Sequence, residues 1–401
     1  MNQTARIISI YAADVSGFCS ALFEYGGMTV IHDASGCNST YTTHDEPRWY
    51  DMDSMMYISG LTESDAVMGN DEKFVSDLCL AAEELKPKFI AICASALPAM
   101  VGIDMEAIAF EVESQTGIPT FEVKTNAMQS YITGAGNAFV ELAKRFIDSS
   151  ANAAASESKN SEDKASNGLT VNVLGLTPLD FPLYGTVEAI EEWLTGNGHE
   201  VNSFVGMHHK TSASEDNLSE IVRLAKADVS LVVSSIGMPL AKYLYEEYGI
   251  PYVIGTPYGT SFREVLEESL RKASSTGEVI NAARDYRSGE TVSETKYAII
   301  GESVLSASLA AALDMEHGIK ARVLESVGDG EMSVLNPSSD ISCDDEDALE
   351  KEIEKSDVII ADPLFEPICR GKKFVRVPHM AFSGRCFLKE EKQLINRGII
   401  L

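Results

Sequence analysis

Side chains able to do chemistry crowd into one short run, Met28 to Asp51, MTVIHDASGCNSTYTTHDEPRWYD. Met28, Thr29, Val30 and Ile31 read as a short strand rich in β-branched residues. A turn-rich segment follows, holding His32, Asp33, Cys37, His44, Asp45, Glu46 and Arg48. Ala34, Ser35 and Gly36 let the backbone turn tightly just before Cys37. Such a turn presents the thiol at the carboxyl edge of a sheet, where open α/β folds bind their ligands. The position suits a metal-ligating thiolate. For a lone cysteine the ordinary alternative is a buried free thiol, but the polar residues around Cys37 favour a functional loop. Metal ligation and polar catalysis both remain open for it. His44 beside Asp45 and Glu46 is a candidate general acid or base. Arg48 is a candidate bidentate clamp for a carboxylate. The competing reading of this group is a solvated loop whose charges pair with one another. His32 and Asp33, at the strand end, are candidates to contact a bound cofactor.

The elements that must position this loop are legible from periodicity. The pattern predicts strands over Arg6–Tyr11, Met28–His32, Ser54–Ser59 and Phe89–Cys93, and another after Pro119. Helices are predicted over Ser16–Tyr25, Asp71–Leu85, Asp104–Thr116 and Asn137–Phe146. Strand and helix alternate, which specifies a parallel sheet. Residues 149–167, SSANAAASESKNSEDKASN, are poor in apolar side chains and read as a flexible linker. Two more alternating units follow, the last with a helix over Ser303–His317. The expected domains are therefore 1–148, carrying the Cys37 loop, then 168–290 and 291–401. The fold class is α/β, three Rossmann-like domains with parallel sheets. The glycine patterns match neither a dinucleotide fingerprint nor a Walker A loop, so direct NAD or ATP binding is not expected.

Composition narrows the function further. The chain has 401 residues, 45% apolar and 23% charged, and a formal net charge of −29. No basic patch is visible, which argues against nucleic acid or an anionic membrane surface as partner. No apolar run approaches a membrane span, and MNQTARIISIY has no signal-peptide core, so a cytoplasmic protein is expected. The seven cysteines, at 19, 37, 79, 93, 343, 369 and 386, include no Cys-x-x-Cys pair, which excludes zinc ribbons and thioredoxin-like motifs. Cys79 and Cys93 read as core, Cys343 as exposed, and His208–His209 as surface. Trp49 and Tyr50 suggest a packed loop.

With these residues in view, the chain resembles the nitrogenase component 1 superfamily over nearly its whole length. IHDASGC resembles that family's His-Gly-Pro-x-Gly-Cys loop, and VGIDMEAI resembles its Ile-Gly-Asp-Asp loop and helix. KPKFI, GIPYVIGTPYG and SDVIIADPLFEPIC with KKFVRVPH resemble its lead-in strand and later domains. The resemblance implies an iron–sulfur cluster, such as [4Fe–4S], between two related subunits, with Cys37 on the second ligand position. Around the first position stands Asp14, with Cys19 further along. The third position falls on Ala96, with Cys93 three residues early. Two chains in a homodimer or heteromer would then complete the ligand set. The resemblance also implies an ATP-hydrolysing iron protein as electron donor, with ATP on that partner only, and a cavity walled by the domains; Cys369 and His379 are candidates to line it, with packing the favoured reading for both. The leading reading is an oxidoreductase subunit of this type. The alternatives are a metallocluster scaffold or carrier, and a cluster-free protein binding a small anion through the His44 loop.

Overall fold

The computed structural model describes residues 6–34, 36, 45–147, 168–209, 217–288, 296–327, 334–343 and 345–399. Cys37, His44 and the stretch read as a linker lie outside the described residues. Contacts divide the chain into two compact units, 12–147 with 210–222, and 1–11 with 148–209 and 223–401.

The first unit is built on a four-stranded parallel sheet. Its strands are β1 (Met28–His32), β2 (Met55–Ile58), β3 (Ile90–Ala94) and β4 (Thr120–Val123), in the order β2-β1-β3-β4. β1 and β3 are buried along their whole length, as parallel strands covered on both faces must be. Helices Asp71–Leu85 and Met105–Thr116 cover one face through Phe74, Leu78, Ile108 and Val112, packed on Met28 and Ile92. Helices Asp14–Leu22 and Tyr131–Phe146 cross at two glycines. A Cβ on Gly17 would lie 2.0 Å from Tyr131 O, and one on Gly134 would lie 1.9 Å from Asp14 O. No larger residue allows that approach. The short helix Leu218–Val222 joins this unit as well, and beside it Asn217 Nδ2 donates to Glu24 O at 3.0 Å.

The second unit carries two five-stranded parallel sheets. One comprises β5 (Thr170–Leu176), β6 (Glu200–Gly206), β7 (Val229–Val232), β8 (Tyr252–Ile254) and β9 (Ile280–Asn281), in the order β6-β5-β7-β8-β9. The other comprises β10 (Tyr297–Gly301), β11 (Ala321–Glu325), β12 (Ile341–Ser342), β13 (Val358–Ala361) and β14 (Lys373–Arg376), in the order β12-β11-β10-β13-β14. In all three sheets the chain leaves the first strand in one direction and later returns on its other side. The reversal points lie between β1 and β3, β5 and β7, and β10 and β13. At such a point the loops at the carboxyl ends diverge and open a crevice.

Four expectations need correction. Arg6–Tyr11 is not a strand: Ile10 N and Tyr11 N donate to Phe382 O and Ala381 O, on a helical turn that offers no edge to extend. Cys343 is buried in the core around Leu324 and Ile359, because the short strand β12 draws its acidic segment onto the sheet. His208 is buried, two residues past the end of β6 and next to the buried Met207. Cys79 is only partly buried, at the edge of its core, where Sγ lies 3.4 Å from Gln115 Oε1.

Candidate functional site

The carboxyl edge of the first sheet is tied together at its reversal point. Asp33, one residue past β1, accepts a 2.6 Å hydrogen bond from Ser95 Oγ, one residue past β3. Its backbone N–H is 3.1 Å from Ser59 Oγ. Ser59 also meets His32 Nδ1 at 2.8 Å, and the imidazole stacks on Phe74 with centroids 4.1 Å apart. Burial lowers the His32 pKa, so the ring is neutral at physiological pH. His32 and Asp33 therefore fix the root of the segment that carries Cys37.

Asp14 begins its helix and is wholly buried. Its Oδ1 accepts from Val15 N and Ala127 N, and its Oδ2 from Asn126 N, each at 2.8 Å. Ala127 sits at φ 59°, a left-handed conformation unusual for alanine that this carboxylate helps hold. Burial pushes the Asp14 pKa up against those hydrogen bonds. Cys19 and Cys93 are also wholly buried, and burial pushes both thiols up. Ligation requires the thiolate, which this setting disfavours. Among the described residues no group of three or more Cys, His, Asp or Glu side chains is arranged to hold a metal. The described part of the edge thus does not by itself fit an iron–sulfur cluster.

The acidic run after Cys37 divides. Asp45 is partly exposed, whereas Glu46 and Arg48 are buried. Arg48 Nε donates to Glu46 Oε1 at 2.7 Å, Nη1 to Glu24 Oε1 at 2.9 Å, and Nη2 to Ser20 O at 2.8 Å. Its guanidinium lies over Phe23, 4.5 Å from the ring centroid. Glu46 and Arg48 are engaged as a buried ion pair that anchors the far end of the loop to the first helix. Trp49 and Tyr50 are exposed at 38% and 68%, so the packing residue of this turn is Arg48.

The second unit contains a constellation whose acids the sequence did not single out. A cavity of about 70 Å³ lies where the reversal points of its two sheets meet. Acidic groups come from the loops after the first strand of each sheet, Asp180 after β5 and Glu302 after β10. Asp362 follows β13, and His379 follows β14. The consecutive hydroxyls of Ser234 and Ser235, after β7, donate respectively to Asp180 Oδ2 and Glu302 Oε1. Glu302 also accepts from Ser235 N at 3.2 Å, Val304 N at 2.9 Å and Leu305 N at 2.8 Å, capping helix Ser303–His317. His379 Nε2 lies 3.0 Å from Asp180 Oδ1. Asp362 accepts from Leu364 N, His379 N and Ser383 Oγ.

Burial, with Asp180 nearby, pushes the Glu302 carboxyl up to about 7 despite its hydrogen bonds. Burial likewise raises Asp362. For His379 burial opposes the charge, but Asp180, Asp362 and Glu302 outweigh it and the pKa is raised. An acid that titrates near neutrality beside an imidazole can hold or release a proton in working conditions. Of the two residues weighed between a cavity and packing, His379 lines this cavity, while Cys369 is packed in the core with Phe365 and Phe382. The sequence signal available for the other groups was an acid following the first strand of a unit, Asp33, Asp180 and Glu302 alike. Only the assembled sheets reveal that two of them converge.

A solved structure shares this architecture. "Nitrogenase Cp1 at pH 6.5" aligns with a TM-score of 0.65 and 17% identity, covering 97% of this chain and 93% of that one, which establishes the fold. The nitrogenase iron-molybdenum cofactor biosynthesis protein NifE of Clostridium pasteurianum is 25% identical over 218 residues, 54% of this chain and 42% of that protein. A subunit of the light-independent protochlorophyllide reductase of Chlorobium luteolum is 25% identical over 256 residues, 61% of this chain and 43% of that protein. The chain thus spans less than half the length of these curated relatives. No described helix is long and apolar enough to cross a membrane. Residues 25–361 match the family described as Nitrogenase component 1 type Oxidoreductase, and with most of the chain covered by that match, this protein belongs to that family.

Proposed function

We propose that the chain is a redox subunit of the component 1 type. It takes low-potential electrons from an ATP-dependent iron protein, by way of an iron–sulfur cluster held with a second component 1-type chain. The electrons are used on a small ligand in the cavity between the reversal points of the two sheets of the second unit. The observation that carries this reading is the tethering of both ends of the Cys37 loop. Asp33 and Ser95 hold one end at the reversal point of the first sheet, and the Arg48–Glu46 pair holds the other. These two anchors flank the segment that carries Cys37. Cys37 is the proposed ligand from this chain. Cys19, Cys93 and Asp14 are proposed to support the loop's surroundings. His32 and Asp33 position the loop rather than touch the cluster, and Glu46 and Arg48 brace it. The bound cluster would supply electrons, and the groups of the cavity the protons. With a net charge of −29, docking would be governed by electrostatic complementarity to basic surfaces.

The test is anaerobic purification, alone and with a co-expressed component 1-type chain, followed by iron and sulfide analysis. C37A is expected to lose the iron and the broad visible absorbance, while C19A and C93A keep them. Iron that survives C37A unchanged would overturn the assignment. A cluster scaffold is the second reading. It is favoured by the burial of Cys19 and Cys93, which leaves Cys37 alone among the three candidate thiols, since sparse ligation makes a cluster easy to pass on. Cluster transfer to an acceptor without turnover, in the presence of reductase and ATP, would select it.

A further inference from the structure

We propose that the groove between helices Asp71–Leu85 and Met105–Thr116 is a docking surface for a basic amphipathic helix of a partner protein. The two helices lie side by side on one face of the first sheet. They are 15 and 12 residues long, about 22 and 18 Å. Phe74, Leu78 and Val112 face the sheet and belong to the core. Between the outer faces of the two helices lies an open groove of about 570 Å³. Val75, Cys79 and Leu80 line it from one helix, Ala107 and Ile108 from the other. Val75 and Ile108 are buried, whereas Leu80 is 63% exposed, a large aliphatic side chain left open on the groove. This surface involves neither the Cys37 edge nor the cavity of the second unit, so it does not rest on the electron-transfer reading.

The charge around the groove selects the occupant. Asp71, Glu72 and Glu83 line it from the first helix, Asp104 and Glu111 from the second, and no Lys, Arg or His is among the described residues that do. A net charge of −29 scatters acids over any surface of this chain, but elsewhere exposed carboxylates meet cations, as Glu141 does Lys144, Glu113 does Arg145 and Glu366 does Arg376. Here Asp104 and Glu111 accept only from neutral donors, Ala107 N and Gln115 Nε2, and none of the five is in an ion pair among the described residues. Lys73, the one cation of the two helices, is held by Asp65 at 2.9 Å. Glu72 and Glu83 are eleven positions apart, Asp104 and Glu111 seven, spacings that return to the same face of a helix. The separations along the axes are about 16 and 10 Å. Carboxylates so far apart cannot converge on one metal ion, and among the described residues no group of acids is arranged to hold one. They match cations strung along a helix instead. In such a helix, apolar side chains three and four positions apart enter the groove beside Leu80, and flanking Lys or Arg reach the acidic rims on both sides.

The probe is a blocked leucine–lysine peptide of about four helical turns, with a scrambled peptide of the same composition as control. Binding to the purified full chain is measured by calorimetry, and alkylation of Cys79 by N-ethylmaleimide is followed by mass spectrometry with and without peptide. The amphipathic peptide is expected to bind more tightly than the scrambled one and to slow alkylation of Cys79, which lines the groove. E83K/E111K is expected to weaken binding about tenfold. E246K/E247K makes the same change in net charge at exposed acids of helix Met238–Tyr248 in the second unit, and should weaken it less than about twofold. L80D separates the groove from general attraction to an acidic protein: it adds a negative charge yet removes the apolar anchor, so binding should weaken. Tighter binding to L80D, equal losses in the two double variants, unchanged alkylation of Cys79, or no binding of the amphipathic peptide would each overturn the proposal.

Discussion

Replacing Glu302 with glutamine should remove a pH dependence of stability, on top of a pH-independent cost from buried donors that the amide nitrogen cannot accept from. The carboxyl ordinarily titrates at 4.5 and in the folded chain is pushed up to about 7, chiefly by burial. A raised folded-state pKa means that the native state binds the proton more tightly than the unfolded chain. The associated stabilisation is fully present below the unfolded value and is lost as pH rises through the folded one. At 1.36 kcal/mol per unit, the full swing is about 3 kcal/mol, of which roughly 2.5 kcal/mol falls between about pH 5 and pH 8. Asp14 and Asp362 are raised by burial too and act in the same sense. The wild-type curve alone is therefore not diagnostic, and the difference between wild type and E302Q is. Guanidinium unfolding followed by circular dichroism at both pH values supplies it. The glutamine variant should lose about 2–3 kcal/mol less than the wild type over this interval. Parallel curves would mean that Glu302 is ionised throughout, and the reasoning about its surroundings would be wrong.

Other consequences concern the first unit. Removing the Arg48 side chain as R48M leaves the buried Glu46 and Glu24 without their cation, and should cost about 3–5 kcal/mol in chemical denaturation. G134A drives a methyl into Asp14 O at the helix crossing. Parting the two helices should cost about 1–3 kcal/mol, visible as a lower denaturation midpoint. Loss of iron on C37A, with retention on C19A and C93A, remains the sharpest check on where a cluster sits.

The strand–helix alternation was readable because parallel sheets buried on both faces demand uninterrupted apolar strands, as at Ile90–Ala94, and amphipathic helices to cover them. The expected strand Met28–His32 and the helices Asp71–Leu85 and Ser303–His317 are observed with the same bounds. Arg6–Tyr11 failed because a short isoleucine-rich run looks alike whether it pairs with a strand or brushes a helical turn. Glu46 and Arg48 looked like loop chemistry, since a local reading cannot see that Glu24 and Ser20 wait at the end of the preceding helix.

From the order of residues come the period of each element and the family to which the chain belongs. These depend on neighbours a few residues apart or on similarity along the chain. Folding is what makes Asp180, Glu302, Asp362 and His379, spread over about 200 positions, line one cavity. The reason is topological: each comes from a loop at the carboxyl end of a parallel sheet, and those loops meet only once the sheets have assembled. Burial then moves their proton affinities, and burial is a property of the folded chain.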